Sequence, residues 1–121
     1  MLNGIYSVRL TVEGFDGAAS AGLVVLRNQY VNGGDETFLY QGSFTEVASK
    51  INGEITVTQW NRFETSGPRS LYAPSRFEVS LNGSAVENRF HTVGKGPNGA
   101  VIEVSGRLVA PLIEPCLTGD S

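Results

Sequence analysis

The sequence predicts an all-β fold, an antiparallel up-and-down barrel of about eight short strands, and three observations lead there. Apolar residues recur with a period of two, Tyr6, Val8, Leu10 and Val12 against Ser7, Arg9, Thr11 and Glu13. That spacing lines one face of a strand and would be scattered around a helix. Fifteen glycines lie among short apolar runs without a collagen-like repeat, as a chain with many tight turns requires. No segment of useful length carries the spacing of an amphipathic helix. A β-sandwich of similar strand count is the alternative. The barrel is preferred because consecutive hairpins close edge to edge and leave no sheet edge exposed.

Taken in order, the first strand starts at Tyr6 and turns within Gly14 to Gly17, where Asp16-Gly17 suits a hairpin. The chain returns through Ala18 to Asn28, and Leu23-Val24-Val25-Leu26 is apolar on both faces, so its outer side is expected to be covered by a loop, a terminal segment or a partner chain. Asn32-Gly33-Gly34-Asp35 reads as a break, after which Phe38, Tyr40, Gly42 and Phe44 share a face. Gly42 suggests a bend or close packing. Thr45 to Lys50 reads as a polar loop or strand edge. Asn52-Gly53 reads as a hairpin turn, followed by a strand on which Ile55 and Val57 alternate with Thr56, Thr58 and Trp60.

Asn61 to Ser75 has no clear period and contains Pro68 and Pro74. It is expected to be irregular, with Phe63, Leu71 and Tyr72 available to fold over one end of a barrel. Phe77, Val79 and Leu81 mark another strand, Asn82-Gly83 a turn, and Val86 to Val93 the return. Gly94 to Gly99 supplies the last turn. Val101 to Ala110 closes the fold, with Ile102, Val104, Gly106 and Leu108 on one face, and Pro111 and Pro115 stop it. The expected organisation is one barrel domain over residues 1–115 and a flexible tail over 116–121.

Composition limits the function classes. Forty per cent hydrophobic and 17% charged residues describe an ordinary globular chain rather than a disordered one. The net charge is −3 and the nine Lys and Arg residues stand singly along the sequence, so the chain shows no footprint for a phosphate backbone and no direct nucleic-acid binding is expected. Cys116 is the sole cysteine and cannot form an intramolecular disulfide. With no basic-then-apolar leader at the N-terminus, the expected location is the cytoplasm. No apolar stretch approaches the ~20 residues of a membrane helix, so no membrane partner is expected.

Catalytic chemistry is not visible. His91 and Cys116 are single residues without the further ligands that zinc needs. They read as a surface histidine and a free thiol. Glu78, Glu87 and Glu103 alternate with apolar residues, which puts them on a solvent face rather than in an acid–base pair. Gly33-Gly34-Asp35 has neither the glycine spacing nor the lysine of a nucleotide loop. The protein is therefore read as non-enzymatic, with no metal and no cofactor. The aromatic set Trp60, Tyr40, Tyr72, Phe63 and Phe77 reads as ordinary core. In the alternative reading the barrel holds an apolar small molecule, lined by Tyr6, Tyr40, Phe77 and Leu108.

The opening Asn3-Gly4-Ile5-Tyr6-Ser7, then Val24-Val25-Leu26, Asn32-Gly33-Gly34-Asp35 and Phe38-Leu39-Tyr40-Gln41-Gly42-Ser43 resemble the GrlR family, and Asn52-Gly53 and Leu108-Val109-Ala110-Pro111-Leu112 extend the likeness to about Pro115. The family's namesake is a bacterial negative regulator of type III secretion. The resemblance implies a lipocalin-like barrel, an apolar interior and a homodimer. It also implies repression by sequestering a protein partner, a transcriptional activator, through a loop of consecutive Glu-Asp pairs. Here that place reads Thr45-Glu46-Val47-Ala48-Ser49-Lys50. Glu46 and Lys50 are the partner-contact candidates, but only Glu46 matches in charge and the acidic cluster does not carry over. One exposed carboxylate contributes little steering, so a partner complex is expected to depend only mildly on salt.

Overall fold

Alternation of inward apolar and outward polar side chains runs through eight strands: β1 (Gly4–Val12), β2 (Ser20–Arg27), β3 (Tyr30–Gly34), β4 (Phe38–Val47), β5 (Lys50–Gln59), β6 (Arg76–Val86), β7 (Arg89–Lys95) and β8 (Val101–Ala110). The structure is a computed structural model that describes residues 2–12, 20–60, 76–96 and 99–113. Each strand pairs antiparallel with the next, and β8 pairs with β1, so the sheet closes into a barrel without a crossover. The expected hairpin within Gly14–Gly17, the irregular Asn61–Ser75 segment with Phe63, Leu71 and Tyr72, and the tail with Cys116 lie outside the described residues.

The inward set forms one core. Tyr6, Val8, Val24, Leu26, Tyr40, Phe44, Ile51, Val57, Val79, Leu81 and Ile102 are buried, while Leu10, Phe77, Phe90, Val104 and Leu108 pack against them part-buried. Every residue in this set falls on the face that period-two alternation predicts. Tyr6 and Phe90 cross the interior with ring centroids 5.7 Å apart, a tilted contact favoured by the ring quadrupoles. Thr92, 3% exposed, donates its hydroxyl to the Val104 carbonyl at 2.9 Å, which removes the cost of a buried unpaired polar group.

The turns fall elsewhere than the sequence suggests. Asn52-Gly53 and Asn82-Gly83 lie inside β5 and β6, and Asn32–Gly34 belongs to β3. The chain reverses instead at Asn28-Gln29, Ala48-Ser49 and Glu87-Asn88. Backbone φ is positive at Asn28 (53°), Gln29 (70°), Ala48 (51°), Ser49 (73°) and Glu87 (56°), the requirement of primed two-residue hairpins. A tertiary contact accounts for the missing glycines. The second residue of each turn presents its carbonyl to a later strand: Gln29 accepts from Phe44 N–H, Ser49 from Ala85 N–H and Asn88 from Leu108 N–H, at 2.8–2.9 Å. Two of the in-strand glycines serve close packing. A Cβ at Gly42 or Gly83 would strike the carbonyl oxygen of Glu54 or His91 on the adjacent strand, as sharply coiled barrel strands impose.

Trp60 also departs from the expected core set. It follows β5 and is 54% exposed, because it sits on the outward side of the alternation, one position beyond the strand.

Candidate functional site

Antiparallel closure gives the barrel two unlike rims. One carries the turns at 28–29, 48–49 and 87–88; the other carries the 35–37 connection and the opposite ends of the strands. The turn rim is where β4 and β5 place Glu46 and Lys50. Lys50 is exposed. Glu46 shares the inward face with Tyr40 and Phe44 and is half-buried, and its Oε1 accepts the Leu2 backbone N–H at 2.7 Å. Leu2 is 4% exposed, so Glu46 anchors a segment that plugs this rim. Burial raises the Tyr6 phenol above its ordinary pKa; a hydrogen bond with the Asn3 backbone pulls the other way, and the Glu46 carboxylate adds a smaller upward push. Neither candidate lies on a free loop, since Thr45–Val47 continues β4 and Lys50 begins β5.

At the opposite rim Asp35 organises the β3–β4 connection. Its Oδ1 accepts the N–H groups of Thr37 (2.8 Å) and Phe38 (2.7 Å), its Oδ2 accepts the Tyr40 hydroxyl, and its backbone carbonyl accepts Trp60 Nε1–H at 3.0 Å. One carboxylate thus satisfies two turn amides and a buried phenol, the pattern of an Asx turn. The sequence shows Asp35 only as part of a break. The signal that could have marked its wider role is Tyr40 five positions on, facing inward and needing a partner for its hydroxyl.

The interior encloses a cavity of about 80 Å³ lined almost wholly by apolar groups, including Tyr40, Phe44, Phe77 and Leu81. Of the proposed lining residues, Tyr40 and Phe77 border it, while Tyr6 and Leu108 belong to the packed interior beside it. Gly53 also borders it, and a Cβ there would meet only ordinary contacts of 3.5 Å and beyond. On the outer face, Leu23 is 55% exposed and flanks Gly34, with Leu39 on the other side. His91 is also exposed, with Nε2 3.9 Å from Glu103 Oε1. Among the described residues, no group of three or more His, Cys, Asp or Glu could hold a metal, and no helix is long and apolar enough to cross a membrane.

This geometry defines a class, the closed, all-antiparallel eight-stranded β-barrel with an apolar and nearly filled interior. Solved structures share its shape: a redesigned β-barrel aligns at a TM-score of 0.66 with 17% identity, covering 89% of this chain and 91% of that one. A second redesigned barrel, mFAP1 bound to DFHBI, aligns at 0.61 with 14% identity over 88% and 94%. No curated protein sequence matches the chain. A family model described as the type III secretion system negative regulator GrlR matches residues 1–111, and the chain belongs to the GrlR family.

Proposed function

We propose that the protein is a non-enzymatic negative regulator of type III secretion that works by binding a protein partner on the outside of its barrel. The observation that carries this reading is the family match over residues 1–111. The interior supports an external mode of action. A cavity of about 80 Å³ is well below the roughly 300–1,000 Å³ of ordinary ligand sites, which weighs against the alternative of an apolar small-molecule carrier. A closed sheet also offers no free strand edge, so a partner must be recognised through outward side chains.

Expression in a bacterium with an active type III system should lower the amount of secreted effector protein, and affinity capture from the same cells should recover one partner in fixed ratio. Unchanged secretion would sink the reading. The proposed regulator is a homodimer, its contact centred on Leu23 and Leu39 about Gly34, where outward apolar side chains adjoin across β2, β3 and β4. Sedimentation should show a dimer at micromolar concentration, and Leu23→Glu should give a monomer. A monomeric wild type would refute the dimer without touching the regulatory reading.

A further inference from the structure

Three arginines far apart in the sequence meet on the outer face of β1, β7 and β8. Arg89 and Arg107 are direct cross-strand partners on β7 and β8, while Arg107 stands opposite Ser7, and Arg9 opposite Ser105, on the β1–β8 ladder. Arg9 and Arg107 are therefore diagonal neighbours, within about 8 Å in a sheet of this kind. His91 adjoins the group opposite Ser105. Like charges placed directly opposite each other destabilise a sheet. None of the three guanidinium groups has an ion pair or side-chain hydrogen bond among the described residues.

The same residues line a concave groove of about 530 Å³ that crosses five strands from Ala21 on β2 to Ser84 and Val86 on β6. Its floor is the sheet itself, because Ser7, Ser84 and Ser105 supply only short hydroxyls there. A groove walled by unpaired arginines and floored by small polar residues suits an extended chain bearing carboxylates, each of which an Arg can hold through two parallel hydrogen bonds.

We propose that this groove is the docking site for an acidic, Asp/Glu-rich segment of the protein partner. The inference rests on the regulatory reading and names its contact surface. Charge complementarity selects the occupant. Nucleic acid fits poorly, since duplex binders commonly neutralise about 6–10 phosphates, and this chain offers three arginines here within a net charge of −3. A second copy meeting the groove symmetrically would set arginine against arginine. The segment would convert the Arg89–Arg107 repulsion into shared attraction, and its binding would depend steeply on salt, in contrast to the mild dependence expected from the sequence.

The test is fluorescence anisotropy of the full chain with a short labelled peptide of alternating Asp and Glu. The peptide should bind. Affinity should fall at least about tenfold in the Arg89→Ser/Arg107→Ser double variant and several-fold between about 50 and 200 mM salt. Arg76→Ser, on β6 outside the groove, should leave it unchanged. All these side chains are exposed, and circular dichroism verifies that the variants stay folded. Equal peptide binding by the double variant, displacement by low-millimolar inorganic phosphate, tighter binding of duplex DNA, or a change of oligomeric state in the double variant would each overturn the proposal. If the double variant still captures the partner and still lowers secretion, the groove assignment fails and the regulatory reading stands. If wild type does neither, the regulatory reading fails, and the peptide data judge the groove separately.

Discussion

The two rims of the barrel are built on opposite principles. At the turn rim, three two-residue reversals hold non-glycine residues at positive φ, and each is laced to a later strand by a backbone hydrogen bond. Leu2, fixed by Glu46, closes the opening. At the other rim a single carboxylate, Asp35, gathers the amides of Thr37 and Phe38 and the hydroxyl of Tyr40. One rim distributes its stability over many backbone contacts with local strain. The other concentrates it in one side chain. The difference teaches that local preference can be overridden piecemeal where neighbours share the cost, whereas a hub fails all at once.

The largest effect should follow from removing the hub. Asp35→Ala leaves the buried Tyr40 hydroxyl and two turn amides without their acceptor and should cost about 2–4 kcal/mol, measured by urea unfolding. A loss below about 0.5 kcal/mol, the range of ordinary surface changes, would show that the rim does not depend on it. Leu2→Ala should cost about 2 kcal/mol by opening the packed end. If instead the variant unfolds like wild type, the plug adds nothing. A smaller change of opposite sign is expected at the strained turn, where Ala48→Asn with Ser49→Gly should stabilise by about 1 kcal/mol, since both replacements accept positive φ more readily. A destabilised double variant would mean that Ala48 and Ser49 have a role beyond turn geometry.

The smallest effect concerns Tyr6. Its phenol is harder to ionise in the folded protein, chiefly through burial, so the folded state holds its proton more tightly than the unfolded chain. That contribution is complete below the unfolded value of about 10 and is lost as pH rises through the folded one. Wild type should therefore lose stability above about pH 10 faster than Tyr6→Phe, as followed by thermal melts. Parallel profiles would place the ionisation elsewhere.

The inward faces of the strands were legible in the sequence because alternation is a local property: Tyr6 to Val12, Phe38 to Phe44 and Val101 to Ala110 all point as their period predicts. The turns were not. Asn52-Gly53 and Asn82-Gly83 have hairpin chemistry, yet the glycine at 83 is required by the His91 carbonyl lying against it. Ala48-Ser49 turns the chain with no compositional mark at all. Partners beyond the local segment decide both cases. The arginine groove was hidden for the same reason, since Arg9, Arg89 and Arg107 become neighbours only through the register of β1 with β8 and β8 with β7. The surroundings of Glu46 were equally out of reach, because its acceptor role depends on Leu2 returning across the rim.

Closure through β1 and β8 bears on how the molecule assembles. Seven of the eight pairings join consecutive strands and form from contacts close along the chain, whereas the eighth joins residues near positions 5 and 110. Loop-closure entropy favours the local ladders first. The seam is then expected to zip after the rate-limiting step, when the rest of the sheet has already curled toward it. Mutations along the seam, such as Val104→Ala, should act mainly on the unfolding limb of a chevron, and equivalent changes in the β4–β5 hairpin on the folding limb. The barrel's resistance to opening in time would then reside at one longitudinal join.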